Sequence, residues 1–350
     1  MKIERLEKNT VKIGNVSIGG NNPILVQSMC NTKTSDYAQT TEQILQLENA
    51  GCEIVRVSVP DNESADAISK IKQKIHIPLV ADIHFDYKLA LKALENGIDK
   101  IRINPGNIGG DEKVKEVVKA CTANNIPIRI GVNSGSLPKD IQSEYGVTPK
   151  ALYEAAKRHI ELLEKFDFNN IVVSVKSSSI PVMTGAYELL SDNYKYPLHL
   201  GLTEAGTLRM GTLKSSMAIG ALLLKGIGDT IRVSLTDNPV YEVEAAFDIL
   251  KALDIRKMGA NLISCPTCSR TCIDIISIAK EVEKRLKNVQ KPITVAVMGC
   301  VVNGPGEAKE ADVGIAGGNG EAIIFKKGKI LKKVNENEII DELFKIIEEL

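Results

Sequence analysis

Short runs rich in β-branched residues recur along most of this chain, and each is followed by a stretch with helical periodicity. The runs fall at 24–29, 54–59, 79–84, 101–104, 128–133, 171–176, 198–203 and 231–236. Helix-period segments lie between them, among them 41–50, 87–96, 113–124, 150–165 and 240–253. Parallel strands cannot be joined by tight turns; they need long crossovers, usually helical. Eight strand–helix units of this kind predict α/β architecture and a closed (β/α)8 TIM barrel. A doubly wound open sheet fits the alternation too. It would place a glycine-rich dinucleotide loop after its first strand, and none is present.

Two further segments flank the alternation. Ahead of it, Thr10-Val-Lys-Ile-Gly14-Asn15-Val-Ser-Ile18 sets two alternating runs around a Gly-Asn pair, the signature of a hairpin. Behind it, 254–264 reads as a linker, 273–286 as a helix, 293–297 and 313–316 as strands, 322–325 with 329–332 as a hairpin, and 336–350 as an amphipathic helix. The expected organisation is a barrel domain over 1–255, hairpin included, and a small α+β domain over 264–350.

Composition excludes several classes of function. The formal net charge is zero, so no global field draws the chain to nucleic acid or a membrane surface. Aromatic residues make up 4% and tryptophan is absent, which argues against a base-stacking surface. No apolar run is long enough to span a bilayer. Met1-Lys-Ile-Glu-Arg5 is charged and no apolar run follows, so no signal peptide is expected and the expected location is cytoplasmic.

Strand parity then assigns faces, because successive side chains alternate. In 54–59, Val55, Val57 and Val59 share the face that suits the outer helices, and Arg56 and Ser58 point inward. By the same parity Arg102 and Asn104, Arg129 and Asn133, and Arg232 and Ser234 point inward. So do Lys176, the pair Asp82 and His84, and His199 with Thr203. Five strands thus aim Arg56, Arg102, Arg129, Lys176 and Arg232 into the barrel, near their C-terminal ends on this reading. Burying an unpaired cation costs several kcal/mol. Asp82 and Glu204 can neutralise two of these charges, and internal pairing of the rest is one alternative. A bound polyanion is the other; guanidinium forks grip phosphate oxygens bidentately, and a diphosphate would need this many partners. Barrel active sites also lie at the C-terminal strand ends. Glu204, just beyond the seventh strand, reads either as a general acid or base or as charge balance. His84 and His199 read as phosphate contacts or proton carriers, or as satisfied polar core residues.

The other chemistry-bearing signal is Cys265-Pro-Thr-Cys268-Ser-Arg-Thr-Cys272, followed by Gly299-Cys300 and Asn303-Gly-Pro-Gly-Glu307. Four thiols offer a closed structural zinc site. Three of them, Cys265, Cys268 and Cys300, with an open or weak fourth ligand, offer an iron–sulfur site. The Cys-x3-Cys-x2-Cys spacing of radical enzymes is absent. Glu307 would be a hard ligand in a soft set, holding one iron loosely, or else a surface acid after a turn. Cys272 reads as a redundant core thiol.

The chain resembles the 4-hydroxy-3-methylbut-2-en-1-yl diphosphate synthase family, iron–sulfur enzymes of the methylerythritol phosphate route to isoprenoids. The resemblance runs almost end to end. It is carried by Gln27-Ser-Met, Val55-Arg56-Val, Ala81-Asp82-Ile-His84-Phe, Ile101-Arg102-Ile-Asn104-Pro-Gly-Asn107, Arg129-Ile-Gly-Val-Asn133, Val175-Lys176-Ser, His199-Leu-Gly-Leu-Thr-Glu204, Ile231-Arg232-Val-Ser234, and the cysteine motifs through Glu307. It implies a [4Fe–4S] cluster on Cys265, Cys268, Cys300 and Glu307. It implies 2-C-methyl-D-erythritol 2,4-cyclodiphosphate as substrate, held by Arg56, Asp82, His84, Arg102, Asn104, Arg129, Asn133, Lys176, His199, Arg232 and Ser234, with Glu204 moving a proton. It implies reductive ring opening and dehydroxylation, with flavodoxin or ferredoxin as electron donor, and a homodimer. The length resembles the bacterial two-domain form. Cys272 adds a thiol the family does not rely on, and Cys30 stands where threonine is common. The competing expectation is a non-redox pterin- or phosphate-binding barrel enzyme with a zinc-stapled tail.

Overall fold

The strand–helix alternation becomes a closed parallel barrel in the unit Met1–Leu253. The computed structural model describes residues 3–301 and 308–350. The predicted hairpin is present as β1 (Val11–Ile13) and β2 (Val16–Ile18), with Ile13 opposite Val16. Gly14 opens the turn with φ of 55°, a conformation that costs glycine nothing. The barrel strands are β3 (Leu25–Met29), β4 (Ile54–Ser58), β5 (Leu79–Asp82), β6 (Lys100–Ile103), β7 (Ile128–Asn133), β8 (Ile171–Lys176), β9 (His199–Leu200) and β10 (Thr230–Ile231). They pair in the order β8-β7-β6-β5-β4-β3-β10-β9, and a parallel bridge from Val173 to Leu198 joins the two ends.

Three strands are shorter than their β-branched runs by two residues or more. The ladders of β5, β9 and β10 stop at Asp82, Leu200 and Ile231. Beyond those points amides bond to neighbouring connections instead: Thr203 N donates to Ser177 O at 3.3 Å, and Thr236 N to Gly206 O at 3.0 Å. Alternation of residue types continues past the point where the strands splay, so sequence alone overextends them.

The hairpin plugs the N-terminal end of the barrel. Val11, Ile13 and Ile18, with Val16 beside them, pack on Leu25, Ile54, Val80 and Val172, all inward residues at strand starts. Each such aliphatic side chain stabilises by about 1.5–3 kcal/mol when fully buried. Helices α1 (Tyr37–Asn49), α2 (Asn62–Lys72), α3 (Tyr87–Glu95), α4 (Gly110–Asn124), α5 (Lys139–Tyr145), α6 (Pro149–Glu164), α7 (Ile180–Asn193), α8 (Leu208–Leu224) and α9 (Pro239–Ala252) fill the connections. Several start where a short polar residue can cap them: Asp36, Asp61, Asp86, Thr148 and Asn238 each accept a first-turn amide.

The unit Asp254–Leu350 is built on one five-stranded sheet. Its strands are β11 (Asn261–Ser264), β12 (Thr294–Met298), β13 (Val313–Gly317), β14 (Glu321–Lys326) and β15 (Lys329–Asn335), in that spatial order. The first three are parallel and the last two antiparallel. The expected linker over 254–264 therefore ends in a strand, whose register Asn261↔Thr294 its polar composition did not reveal. Alternation sorts the two faces. Val295, Val297, Val313 and Ile315 face α10 (Ile275–Leu286) and α11 (Ile339–Glu348), which contribute Ile278, Val282, Leu343 and Ile347. Ala296, Met298, Ala316 and Phe325 form a smaller cluster with Ala308 and Ala311 on the other face. No helix among the described residues is long and apolar enough to cross a membrane.

Candidate functional site

Register brings the inward charges of the barrel into one row. Asp82 on β5 lies opposite Arg102 on β6, and Arg102 lies opposite Arg129 on β7. Parallel partners point to the same side of a sheet, so all three face the barrel axis. Asp82 is buried and accepts from Arg102 Nη1 at 3.0 Å; His84 Nε2 lies 3.3 Å and Arg56 Nε 3.8 Å from its second oxygen. Burial by itself pushes the Asp82 carboxyl up, but Arg56, His84 and Arg102 together hold it far below the usual carboxylate range. Burial also draws Arg56 down to about 10, with Asp82 opposing and Arg232 and Arg102 reinforcing the shift.

The guanidinium of Arg56 is otherwise poorly satisfied. Its Nε and Nη2 point at Met29 Sδ at 3.0 and 2.8 Å, and Arg232 Nη1 approaches the same sulfur at 3.6 Å. A thioether is a weak acceptor, so an anion placed here would gain what the sulfur cannot supply. Lys176, the last residue of β8, is buried and pairs with no carboxylate among the described residues. Burial, then Arg232 and Arg56, push its ammonium well below the ordinary lysine range.

Arg129 does not lie near the C-terminal end of its strand. It is the second residue of β7, is fully buried, and its Nε, Nη1 and Nη2 find no partner. Parity gave its direction correctly; depth depends on where the strand begins. Burial, Arg56 and Arg102 all penalise its charge, yet a guanidinium keeps its proton in proteins. His199 lies at similar depth, with Nδ1 against Thr230 Oγ1 at 2.8 Å and Nε2 unpartnered. Burial and the surrounding cations, Arg129 foremost, push its ring well below the ordinary value.

Sequence reading missed three members of this interior. Lys100 opens β6 on the same face as Arg102; it is fully buried with Nζ unpartnered, and burial and Arg129 push it well below the usual range. Extending the parity of β6 by one residue would have found it. Gln27 on β3 is buried with both carboxamide atoms unpartnered. Glu242, buried on α9, takes Arg232 Nε and Nη2 at 3.3 Å each, Ser28 Oγ at 3.1 Å and Leu235 N at 3.0 Å. Its place on the helix face of Ala245, Ala246 and Ile249 was the available signal.

Glu242 therefore supplies the charge balance expected of Glu204. Glu204 is exposed, as a carboxylate just past the barrel mouth would be, and its φ of 55° is in the left-handed region. Such a conformation in a non-glycine residue is a local cost often found at functional sites. His84 is half exposed, Asn133 and Ser234 are partly exposed, and Asn104 is buried with Oδ1 accepting from Gly106 N at 3.3 Å.

The thiols of the second unit assemble at one end of its sheet. Cys265 follows β11 and Cys300 follows β12, parallel neighbours with Ser264 opposite Val297. Gly299 N donates to Cys265 Sγ at 3.2 Å, and Gly299 O accepts from Cys272 N at 3.0 Å, which ties the three cysteine segments together. Cys268 is exposed, and its thiol is held below the ordinary value by the Arg270 amide first and the Thr271 hydroxyl after it. Cys272 is exposed too, with Sγ donating to Arg270 O at 3.2 Å, so it is not a core thiol. Residue Glu307 and the turn 303–306 lie outside the described residues. Among the described residues no three ligating side chains are gathered around one point. The donor chemistry nevertheless fits a soft iron–sulfur group: three sulfurs at one sheet end, one of them already receiving an amide hydrogen bond of the kind that tunes such groups.

Comparison with known proteins covers both units. The GcpE TIM-barrel domain matches residues 8–247, and the GcpE protein C-terminal domain matches residues 261–349. A 4-hydroxy-3-methylbut-2-en-1-yl diphosphate synthase (flavodoxin) of Caldanaerobacter subterraneus subsp. tengcongensis is 59% identical, over 100% of this chain and 99% of its own. The protein of the same name from Caldicellulosiruptor saccharolyticus is 63% identical over 96% and 97%. Among solved structures, an N-acetylneuraminic acid synthetase of Leptospira borgpetersenii superposes with a TM-score of 0.52 at 14% identity, over 81% of this chain and 98% of its own. That likeness speaks to the fold alone.

Proposed function

This chain belongs to the GcpE family, and from that premise we propose that it makes 4-hydroxy-3-methylbut-2-en-1-yl diphosphate by reducing 2-C-methyl-D-erythritol 2,4-cyclodiphosphate. The reaction takes in two electrons and two protons, opens the ring and releases one water. The names of its relatives support flavodoxin as the electron donor. A [4Fe–4S] group on Cys265, Cys268, Cys300 and Glu307, when bound, supplies the one-electron chemistry that amino-acid side chains lack. A homodimer in the cytoplasm completes the reading.

The observation that carries the substrate assignment is the cationic interior without matching acids. Asp82 and Glu242 engage Arg56, Arg102 and Arg232; among the described residues Arg129 has no partner for its three guanidinium nitrogens, and Lys176 has no carboxylate partner. A cyclic diphosphate brings the missing negative charge. Arg56, Lys176 and Arg232 would take its oxygens, with Arg102, Asn104, Asn133 and Ser234 fixing its orientation and His84 at the mouth. Arg129 and His199 act from beneath, fixing the potential of the pocket floor. Preformed donors of this kind stabilise charge that grows on a departing oxygen, because they need no reorganisation. Glu204 hands a proton to the departing hydroxyl. The zinc-stapled, non-redox alternative has no comparable support in the relatives.

Turnover of the cyclodiphosphate by anaerobically purified protein tests the proposal, with Glu204→Gln as the informative variant. Turnover should fall about a hundredfold or more, with substrate affinity and unfolding midpoint unchanged. Near-wild-type turnover in that variant would remove Glu204 from the chemistry.

A further inference from the structure

One cavity of the barrel unit lies outside the ring of strands. It has a volume of about 700 Å³ and opens on the flank, between the connection after β6, the connection after β7 and the face of α6. Asn104 on its inner wall is the one lining residue it shares with the proposed substrate pocket. A volume of this size is that of an ordinary small-molecule site.

Several features of the cavity are unfinished. His159, on α6, is only 4% exposed, lines the cavity, and has no partner for its buried Nδ1. Burial, and after it Arg158, push this ring down to about 4, so near neutral pH it carries one N–H and one lone pair. The fifteen-residue helix α4 begins at the cavity with Gly110 and Asp111 in its wall. Its N-cap is Gly109, with φ of 97° and no side chain to accept the first-turn amides. Lys139, at the rim, is exposed and has no carboxylate partner among the described residues. The other cations at the wall are already paired: Lys165 with Asp111 at 3.0 Å, and Arg158 with both carboxylate oxygens of Asp140. Leu137 and Leu162 supply an apolar wall.

We propose that this cavity binds a small organic phosphate, with the phosphate on the first-turn amides of α4 and Lys139, a nitrogen of His159 as a third contact, and a short apolar tail along Leu137 and Leu162. Open amides at a helix N-terminus suit phosphate, since they combine donors with the positive end of the helix dipole. The site is separate from the barrel pocket and does not depend on the redox reading. A ligand there touches the connection that carries Asn104, so occupancy bears on substrate binding through that loop.

The chain's own histidines provide the test. There are four, and they divide by location: His159 at the cavity, His84 and His199 in the barrel, and His76 on the surface beside Glu48. Ring signals of the full chain labelled with 15N-histidine are recorded while butyl phosphate is added, and separately while inorganic pyrophosphate is added. Butyl phosphate should shift the His159 signals saturably at millimolar concentration and leave His76 still. Lys139→Ala should raise the apparent Kd about fivefold. Leu162→Phe, which fills the apolar wall, should abolish the shift, and the exposed Lys139 variant carries the test if that one does not fold. Pyrophosphate should move chiefly His84 and His199. Shifts confined to His84 and His199 with butyl phosphate, an unmoved His159, or equal binding in the wild type and the Lys139 variant would each overturn the proposal.

Discussion

The barrel unit and the C-terminal unit place their chemistry in opposite ways. In the barrel, Arg56, Asp82, Arg102, Arg129 and Lys176 sit on strands, so backbone register fixes where each charge lies. In the C-terminal unit, Cys265, Cys268, Cys272 and Cys300 follow strands or lie between elements, and their burial ranges from buried to exposed. The barrel holds its charges in place without a ligand and bears the electrostatic cost of doing so. Among the described residues the thiol segments are tied through Gly299 and by Cys265 N donating to Val297 O at 3.4 Å, and no three ligating side chains meet at one point. Preorganisation is thus concentrated where charge must be stabilised, and adaptability where a group must be loaded. Metal loading and barrel stability should respond to different substitutions.

The largest effect should come from the adaptable side. Cys300→Ser should lose bound iron and visible absorbance and lower turnover by about a hundredfold or more, while urea unfolding of the barrel changes by less than about 0.5 kcal/mol. Wild-type iron content in this variant would break the ligand assignment. A large loss of barrel stability would break the separation of the two units.

Asp82→Asn attacks the rigid side. It removes the carboxylate shared by Arg56, Arg102 and His84 and leaves buried cations uncompensated, a change expected to cost about 3–5 kcal/mol in urea unfolding. Pyrophosphate should restore part of the loss. A cost below about 1 kcal/mol would mean that the inner charges are not the coupled set their spacing indicates.

Between about pH 6.5 and 4.5 acid should act chiefly on the barrel, because all four histidines lie there. His159 titrates near 4 in the fold, against about 6.5 in an unfolded chain. The unfolded state therefore binds the proton first, and stability falls as pH drops from about 6.5 toward 4. The His159 share is about 3 kcal/mol across that window. His199, shifted the same way, extends the loss. Asp82, held far below the usual range, adds to it only in stronger acid, once pH falls below about 4, where unfolded carboxylates take up protons. Hydrogen exchange resolved by unit should show the slope in the barrel, and His159→Gln should flatten it. An equal slope in the C-terminal unit would contradict the assignment.

The smallest effect is expected at Lys100. Its amine is fully buried, unpartnered and pushed toward neutrality by burial and Arg129. Lys100→Met keeps the volume and removes an unsatisfied polar group, so stability should change by less than about 1 kcal/mol or rise. A loss above about 3 kcal/mol would show that Lys100 is an organised part of the rigid layer.

Residue order by itself determined the parallel barrel, the N-terminal hairpin, the inward direction of Arg56, Arg102, Arg129, Lys176 and Arg232, and the thiol motif; that the hairpin plugs the barrel came from the structure. These are legible because alternation along a strand and periodicity along a helix are local properties, readable from a few neighbouring residues. Tertiary structure decided depth and pairing. Arg129 lies low in the barrel because β7 begins at Ile128, and Arg232 is balanced by Glu242 from α9, since Glu204 is turned out to solvent. It also revealed Lys100 and Gln27 in the polar interior and the flank cavity around His159. Register, closure and helix placement bring together residues that are distant in the chain, and no local pattern records which of them will meet.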